Sequence, residues 1–203
     1  MSSFDEKAAT WDDDPAKVER ARVVADAIRK AVPVSSDTRV LDVGAGTGLL
    51  SQQLAGDVGP ITLVDPSTGM REVMAEKVAS GRLPEGSRIW DLDLATAPTP
   101  ADRFDLVVTL MTMHHVDDVP RVLSAFVEML DIGGHVAIVD LVSEDGSFHG
   151  EGFEGHRGFD PHRLAAQLRE RGLTDVEVRE DIHGVDRNGT RYPVFLVTGA
   201  KTG

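Results

Sequence analysis

The chain has 203 residues, 41% of them hydrophobic and 27% charged, enough to close one sizeable core. Its 34 Asp and Glu outnumber 21 Lys and Arg, and a formal charge of -13 repels phosphate backbones and anionic lipid, which argues against nucleic-acid and membrane partners. The absence of cysteine excludes disulfides, thiolate metal sites and a cysteine nucleophile. The first residues lack the basic and apolar regions of a leader, and no apolar run approaches the ~20 residues of a membrane span, so cytoplasmic residence is the expectation.

In chain order, Asp14-Pro15 reads as an N-cap followed by a proline in the first helical turn. Val18, Ala21, Ala25, Ile28 and Val32 then recur at helical spacing. A β-branched run at 39–43 ends on glycines and predicts a buried strand feeding a turn. Helix at 49–55, strand at 61–64 and helix at 68–80 follow, with Gly81 placed to stop the last of these. Further strands are expected at 88–90, 106–109 and 135–139, with a helix at 120–130 before the last. Runs such as Leu106-Val107-Val108 and Val136-Ala137-Ile138-Val139 are apolar on both faces, which suits a parallel sheet covered on both sides by helices.

Asp160-Pro161 starts another capped helix that stops at Gly172, and strands are expected at 176–179 and 194–197. No helical pattern separates those two, and residues 183–192, with Asn188-Gly189, read as short and turn-like. The last pair should therefore be antiparallel. The whole is predicted as one domain over 1–203, a doubly wound α/β fold on a mostly parallel seven-stranded sheet with an antiparallel C-terminal hairpin. Residues 1–34 form an N-terminal lid and helix, 35–142 a ligand-binding half, and 143–203 a loop and the closing strands.

The informative segment is Val40-Leu41-Asp42-Val43-Gly44-Ala45-Gly46-Thr47-Gly48, a strand that ends in a glycine-rich turn and enters a helix. Glycines there permit positive φ and close approach to a ligand. The dinucleotide fingerprint is G-x-G-x-x-G, whereas this pattern is D-x-G-x-G-x-G, with an acid just before the first glycine. A carboxylate at Asp42 repels pyrophosphate and suits a ligand with a cationic amino group. The next strand ends in Asp65, a position from which a carboxylate can chelate two ribose hydroxyls. Asp42, Asp65, Asp91 and residues 109–115 all fall at carboxyl ends of predicted strands, so one crevice gathers them.

Over nearly the whole chain, these stretches resemble the class I S-adenosylmethionine-dependent methyltransferases: VLDVGAGTGLLS, ITLVDPSTGM, IWDLDL, FDLVVTLMTMHHVDD and LDIGGHVAIVDL. The resemblance implies that Gly44, Ala45, Gly46 and Gly48 pass under the methionyl part of S-adenosylmethionine and that Asp65 holds its ribose. Pro66 and Met70 then line the adenine, although Met70 reads equally well as a core methionine. Asp91 is the best match for the acid that meets the adenine amino group, with Asp93 as the alternative, and Leu92 and Leu110 complete the cofactor set. The product is S-adenosylhomocysteine. Phe4-Asp5-x-x-Ala8-x-x-Trp11-Asp12 resembles the family's N-terminal lid, with Trp11 where a tyrosine is common.

Methyl transfer from a sulfonium is an in-line displacement, so catalysis can rest mainly on holding the acceptor near attack distance and excluding water. If the acceptor must lose a proton, His114 or His115 is the placed base, with an ordinary pKa near neutrality. Trp11, Phe148 and Phe153 are expected to touch a small-molecule acceptor, and residues 143–159, rich in glycine, read as a mobile lid. His149 and His156 in that loop are assigned a solvated or lid role. No ligand spacing for a metal appears along the sequence, and none is expected to be required. A monomer or homodimer is expected. Two alternatives stand beside this reading: a cofactor-binding module that has lost catalysis and acts through a partner, and an NAD(P)-dependent oxidoreductase, against which Asp42 and the glycine spacing argue.

Overall fold

A computed structural model describes residues 4–203. Seven strands form one sheet in the order β3-β2-β1-β4-β5-β7-β6. They are β1 (Val40–Val43), β2 (Ile61–Val64), β3 (Arg88–Trp90), β4 (Phe104–Leu110), β5 (Leu130–Leu141), β6 (Leu173–Arg187) and β7 (Thr190–Lys201). The first five run parallel, with Val40 beside both Ile61 and Leu106, and β7 pairs antiparallel with β5 and β6. Winding goes outward from β1 through β2 to β3, then restarts on the other side of β1 at β4. The sheet therefore has its switch point between the ends of β1 and β4, where open α/β sheets bind ligands.

Five helices cover the sheet: α1 (Pro15–Ala31), α2 (Leu49–Leu54), α3 (Thr68–Ala79), α4 (Val119–Met129) and α5 (Pro161–Glu170). Their starts follow from sequence chemistry. Asp14 accepts from the Ala16 amide ahead of Pro15, Asp118 from Arg121, and Asp160 from His162 and Arg163, each satisfying donors that a first turn leaves unpaired. The alternation of strand side chains splits the core in two. Val40, Ile61, Leu63 and Val108 pack with Ile28, Leu54 and Met74 under α1 to α3, while Leu41, Val64, Val107 and Phe195 pack with Phe126, Leu164 and Leu168 under α4 and α5. Each fully enclosed side chain of this size contributes about 1.5–3 kcal/mol of burial free energy.

Two expectations need correction. Residues 183–192 are not a loop: β6 and β7 stay paired from His183↔Val194 to Arg187↔Thr190, and only Asn188-Gly189 turn, both with positive φ (53° and 78°). This is the two-residue hairpin geometry for which Asn-Gly is suited. The alternation is hard to see because a register slip between Thr174 and Glu177 changes the phase of the period-two pattern and a second slip between Arg179 and His183 interrupts it. In addition, β5 starts at Leu130, directly out of α4, with an irregular stretch that brings the pairing from Phe104↔Leu130 to Leu106↔His135. Residues 8–13 of the N-terminal segment form a 3-10 turn, Ala8–Asp13, that the sequence pattern does not announce. Among the described residues no helix is long and apolar enough to cross a membrane.

Candidate active site

A cavity of about 1060 Å³ opens at the switch point. It exceeds the usual 300–1,000 Å³ of a single small-molecule site, so it has room for a cofactor and an acceptor together. Its floor is the glycine turn after β1. Gly44, Gly46 and Gly48 all take positive φ, but for different reasons. A Cβ on Gly44 would strike the Thr112 side chain, whose Oγ1 donates to the Gly44 carbonyl at 3.0 Å and ties the ends of β1 and β4 together. One on Gly48 would meet Leu63 and Leu83, so Gly48 serves packing between α2 and the sheet and does not line the cavity. Gly46 does line it, and a Cβ there would meet no protein atom within 4 Å.

The acids at the strand ends are buried and braced. Asp42 accepts from Ser51 Oγ at 2.7 Å, and burial, opposed by that bond, pushes its carboxyl up to about 6. Asp65 accepts from the Gly46 amide on one oxygen and from the Ser67 amide on the other, both at 2.9 Å. Burial raises its pKa while these amide bonds lower it. The two amides fix the carboxylate plane and leave lone pairs for a diol. Pro66, Met70, Leu92 and Leu110 line the cavity beside it, as does Ala45. Asp91 does not: its side chain is 72% exposed and pairs with Arg71 Nη2 at 2.9 Å, while Asp93 lies on the lining. A buried carboxyl that burial disfavours, an acid with free lone pairs and a glycine facing open space together fit a nucleoside that carries a cationic amino group.

Over the cavity lies the N-terminal segment, fastened by two carboxylates. Asp5 accepts from Ser67 Oγ at 2.6 Å and from the Gly69 amide at 3.1 Å. Asp12 accepts from Thr47 Oγ1 at 2.5 Å and pairs with Lys77 at 2.6 Å. Trp11, with Lys17 stacked 4.0 Å from its ring, and Phe4 thereby face the site.

The far half of the cavity is aromatic and imidazole-rich. His114 and His115 sit in a 3-10 turn, Met113–His115, just after β4. His114 is enclosed, and its Nδ1 lies 2.6 Å from Asp140 Oδ1 at the end of β5; the other Asp140 oxygen accepts from the His114 amide at 3.1 Å. The loop 143–159 folds over this pair. Glu144 accepts from the Gly146 and Phe148 amides, Ser147 Oγ lies 2.7 Å from Tyr192 Oη, and the His156 amide donates to the His114 carbonyl at 2.8 Å. The loop that reads in sequence as a mobile lid is tied by these bonds at residues 144–148 and at 156. It delivers Phe148, His149 and Phe153 to the lining, with His149 stacked on Phe153 at 3.8 Å. Desolvation, then the neighbouring His114 imidazole, push His115 and His149 down to about 4.

Asp140 is a site residue that sequence reasoning gave no role, and His149 one that it gave only a solvated or lid role. Asp140 carried a usable signal: like Asp42 and Asp65 it is an acid that closes an apolar strand run. His149 carried no signal of its contact with His114 and His115, which lie in the turn after β4 and meet it only through the fold of the loop.

A parallel sheet with buried acids at its strand ends and a glycine turn at its switch point is the class I S-adenosylmethionine-dependent methyltransferase arrangement. The family described as methyltransferase domain matches residues 17–178, and the chain belongs to it as an enzyme of that type. An uncharacterized methyltransferase of Geobacillus kaustophilus is 29% identical over 176 residues, 84% of this chain and 80% of that protein. Another from Schizosaccharomyces pombe is 28% identical over 158 residues, 70% of this chain, which spans only 56% of that relative. Among solved structures, Haemonchus contortus phosphoethanolamine N-methyltransferase 2, in complex with phosphomonomethylethanolamine and S-adenosylhomocysteine, shares the fold with a TM-score of 0.72 at 17% identity, over 87% of this chain and 51% of that one.

Proposed function

We propose that this chain transfers the methyl group of S-adenosylmethionine to a small-molecule acceptor. The observation that carries the reading is the division of one cavity into two halves, an acidic one built on Asp42, Gly46 and Asp65 and an aromatic one built on Phe148, Phe153 and the histidines. In the first half, Asp65 holds the ribose, and Asp42 faces the amino group. The Gly44-Ala45-Gly46 turn runs beneath the methionyl chain. Pro66, Met70, Leu92 and Leu110 enclose the adenine, whose amino group falls to Asp93, since Asp91 is turned away toward Arg71.

When bound, the cofactor supplies a methyl group already activated as an electrophile. What the chain adds is placement. Trp11, Phe148 and Phe153 enclose a flat or apolar acceptor and exclude water, and His114 and His115 meet the atom to be methylated, where its proton is lost. Asp140 fixes the ring of His114. A walled cavity of this size favours a small acceptor over a folded protein.

Calorimetric titration with S-adenosylhomocysteine and, separately, NADH tests the cofactor half. Binding of the first in the micromolar range with no heat from the second is expected, and the reverse would replace the reading with an oxidoreductase. A methyl-transfer screen over small hydroxyl, amine, thiol and carboxyl compounds tests the acceptor half. Intact cofactor binding with a silent screen would favour a module that acts through a partner.

A further inference from the structure

The aromatic half of the cavity brings together three imidazoles that sequence separates. His114 and His115 come from the turn after β4, His149 from the loop after β5, and one ring nitrogen of each lies within 4.8 Å of the others. Metal–imidazole bonds are about 2.0–2.1 Å long, so an ion at the centre requires each nitrogen to move by less than about 1 Å, within reach of small side-chain rotations. We propose that His114, His115 and His149 form a three-histidine site for a divalent first-row transition metal of the zinc type, open on the side where the acceptor binds.

Two further features support the site. The Asp140 carboxylate engages Nδ1 of His114 and leaves Nε2 as the ligand atom, the carboxylate–histidine pairing that orients metal ligands and raises their basicity. Nε2 of His149 is buried with no hydrogen-bond partner, which is costly for a ring nitrogen unless something binds it. An all-nitrogen donor set favours zinc, cobalt or nickel over magnesium and calcium, which prefer oxygen.

The site deepens the methyl-transfer reading and rests on it for its chemistry. Three protein ligands leave one position for an acceptor oxygen or sulfur, and coordination there makes its proton acidic, as zinc lowers the pKa of bound water to about 7. The proton passes to solvent. The resulting anion forms the new bond to the methyl carbon as the sulfur–methyl bond breaks, so its negative charge and the sulfonium's positive charge cancel in a neutral product and S-adenosylhomocysteine.

The test is a zinc titration of the chelator-stripped chain against a competing indicator dye, repeated with magnesium. One zinc per chain bound tighter than about 1 µM, with no response to magnesium, is expected. His149→Ala and His114→Gln should each weaken it at least 30-fold. His162→Ala, which changes an exposed histidine paired with Glu180 away from the cavity, should leave it unchanged. Circular dichroism establishes that the variants fold. Zinc affinity weaker than about 100 µM, or affinity that survives His149→Ala in a folded variant, overturns the site. Calorimetry with S-adenosylhomocysteine on the stripped protein separates the two ideas: binding there alongside failure of the zinc titration removes the metal and leaves the methyltransferase reading standing, whereas a zinc site without cofactor binding does the opposite.

Discussion

Asp12 lies 2.6 Å from Lys77, a lysine on α3 whose side chain is wholly enclosed, and so carries the only carboxylate recorded within ion-pair distance of that ammonium among the described residues. Burial lowers the pKa of Lys77, and Asp12 opposes this. Because the same carboxylate accepts from Thr47 in the glycine turn, one acid fastens the N-terminal segment to both the cavity floor and the core. The N-terminal segment is thus tied to folding stability.

Removing Asp12 should accordingly cost more than a surface ion pair does. Asp12→Ala leaves a charge enclosed without a partner, a change worth about 3 kcal/mol at the low end of the range for broken buried pairs, since Asp12 itself is partly exposed. Urea denaturation measures it. Asp12→Ala with Lys77→Met should recover most of the loss, because no enclosed charge then remains. A single variant within 0.5 kcal/mol of the parent, on the order of an ordinary surface substitution, would show that Lys77 finds another partner.

Asp42 makes stability depend on pH with a definite sign. Its carboxyl is pushed up to about 6 by burial, against an ordinary value near 4, so between these values the folded chain binds a proton that the unfolded chain has lost. The stabilisation is fully present below about pH 4 and is lost as pH rises through 6, by about 3 kcal/mol from this residue. Asp42→Asn should flatten that part of the profile in denaturation series at pH 4 to 7. A cationic amino group beside Asp42 favours the ionised form, so affinity for S-adenosylhomocysteine should rise with pH up to about 6 in the parent and not in Asp42→Asn. Parallel profiles for the two proteins would separate Asp42 from the amino group.

How much of this was legible in sequence follows the range of the interactions. The parallel half was readable because β1, β2 and β4 are apolar on both faces and each signals burial within four or five residues. Asp42, Gly46 and Asp65 were readable because strand-end acids and glycines sit at fixed distances from those runs. The tip of the β6–β7 hairpin was not, since two slips of register hide its alternation and its outer face is polar. Asp91 and Asp93 could not be told apart because only tertiary contact with Arg71 decides which one turns outward. The histidine cluster lies further still from sequence, being made by a loop that a Ser147–Tyr192 contact and a His156–His114 backbone bond hold in place.

The glycine turn offers a paired experiment. Gly46→Ala adds a Cβ that meets no protein atom, so its stability cost is confined to holding an alanine at positive φ, about 1–2 kcal/mol. The methyl group projects into the cavity, and affinity for S-adenosylhomocysteine should fall at least tenfold. Gly44→Ala collides with Thr112 and should instead lose stability first. Calorimetry and thermal melts on both variants read the contrast; equal cofactor affinity in Gly46→Ala and parent would remove Gly46 from the ligand floor.

Asp140 should act through His114 and not on the cofactor. The pair is enclosed, with Nδ1 and a carboxylate oxygen 2.6 Å apart, and the same oxygen accepts from the Leu141 amide, so the ring has one orientation available to it. Asp140→Asn keeps the shape but replaces one acceptor oxygen with a donor, which weakens the hold on Nδ1 and allows the ring to rotate or change tautomer. Partners of this kind typically alter metal affinity or activity 10- to 100-fold when changed. The expected pattern is zinc affinity, and turnover on any acceptor found in the screen, lowered by that factor, with S-adenosylhomocysteine affinity within threefold of the parent. Asp140→Glu keeps the charge but lengthens the side chain by one methylene, and should restore part of the metal affinity if charge on Nδ1 is what matters. If Asp140→Asn matches the parent in both zinc affinity and turnover, the aspartate is a packing partner of the 3-10 turn, and the orientation of His114 must come from the rings of His115 and His149 against which it lies.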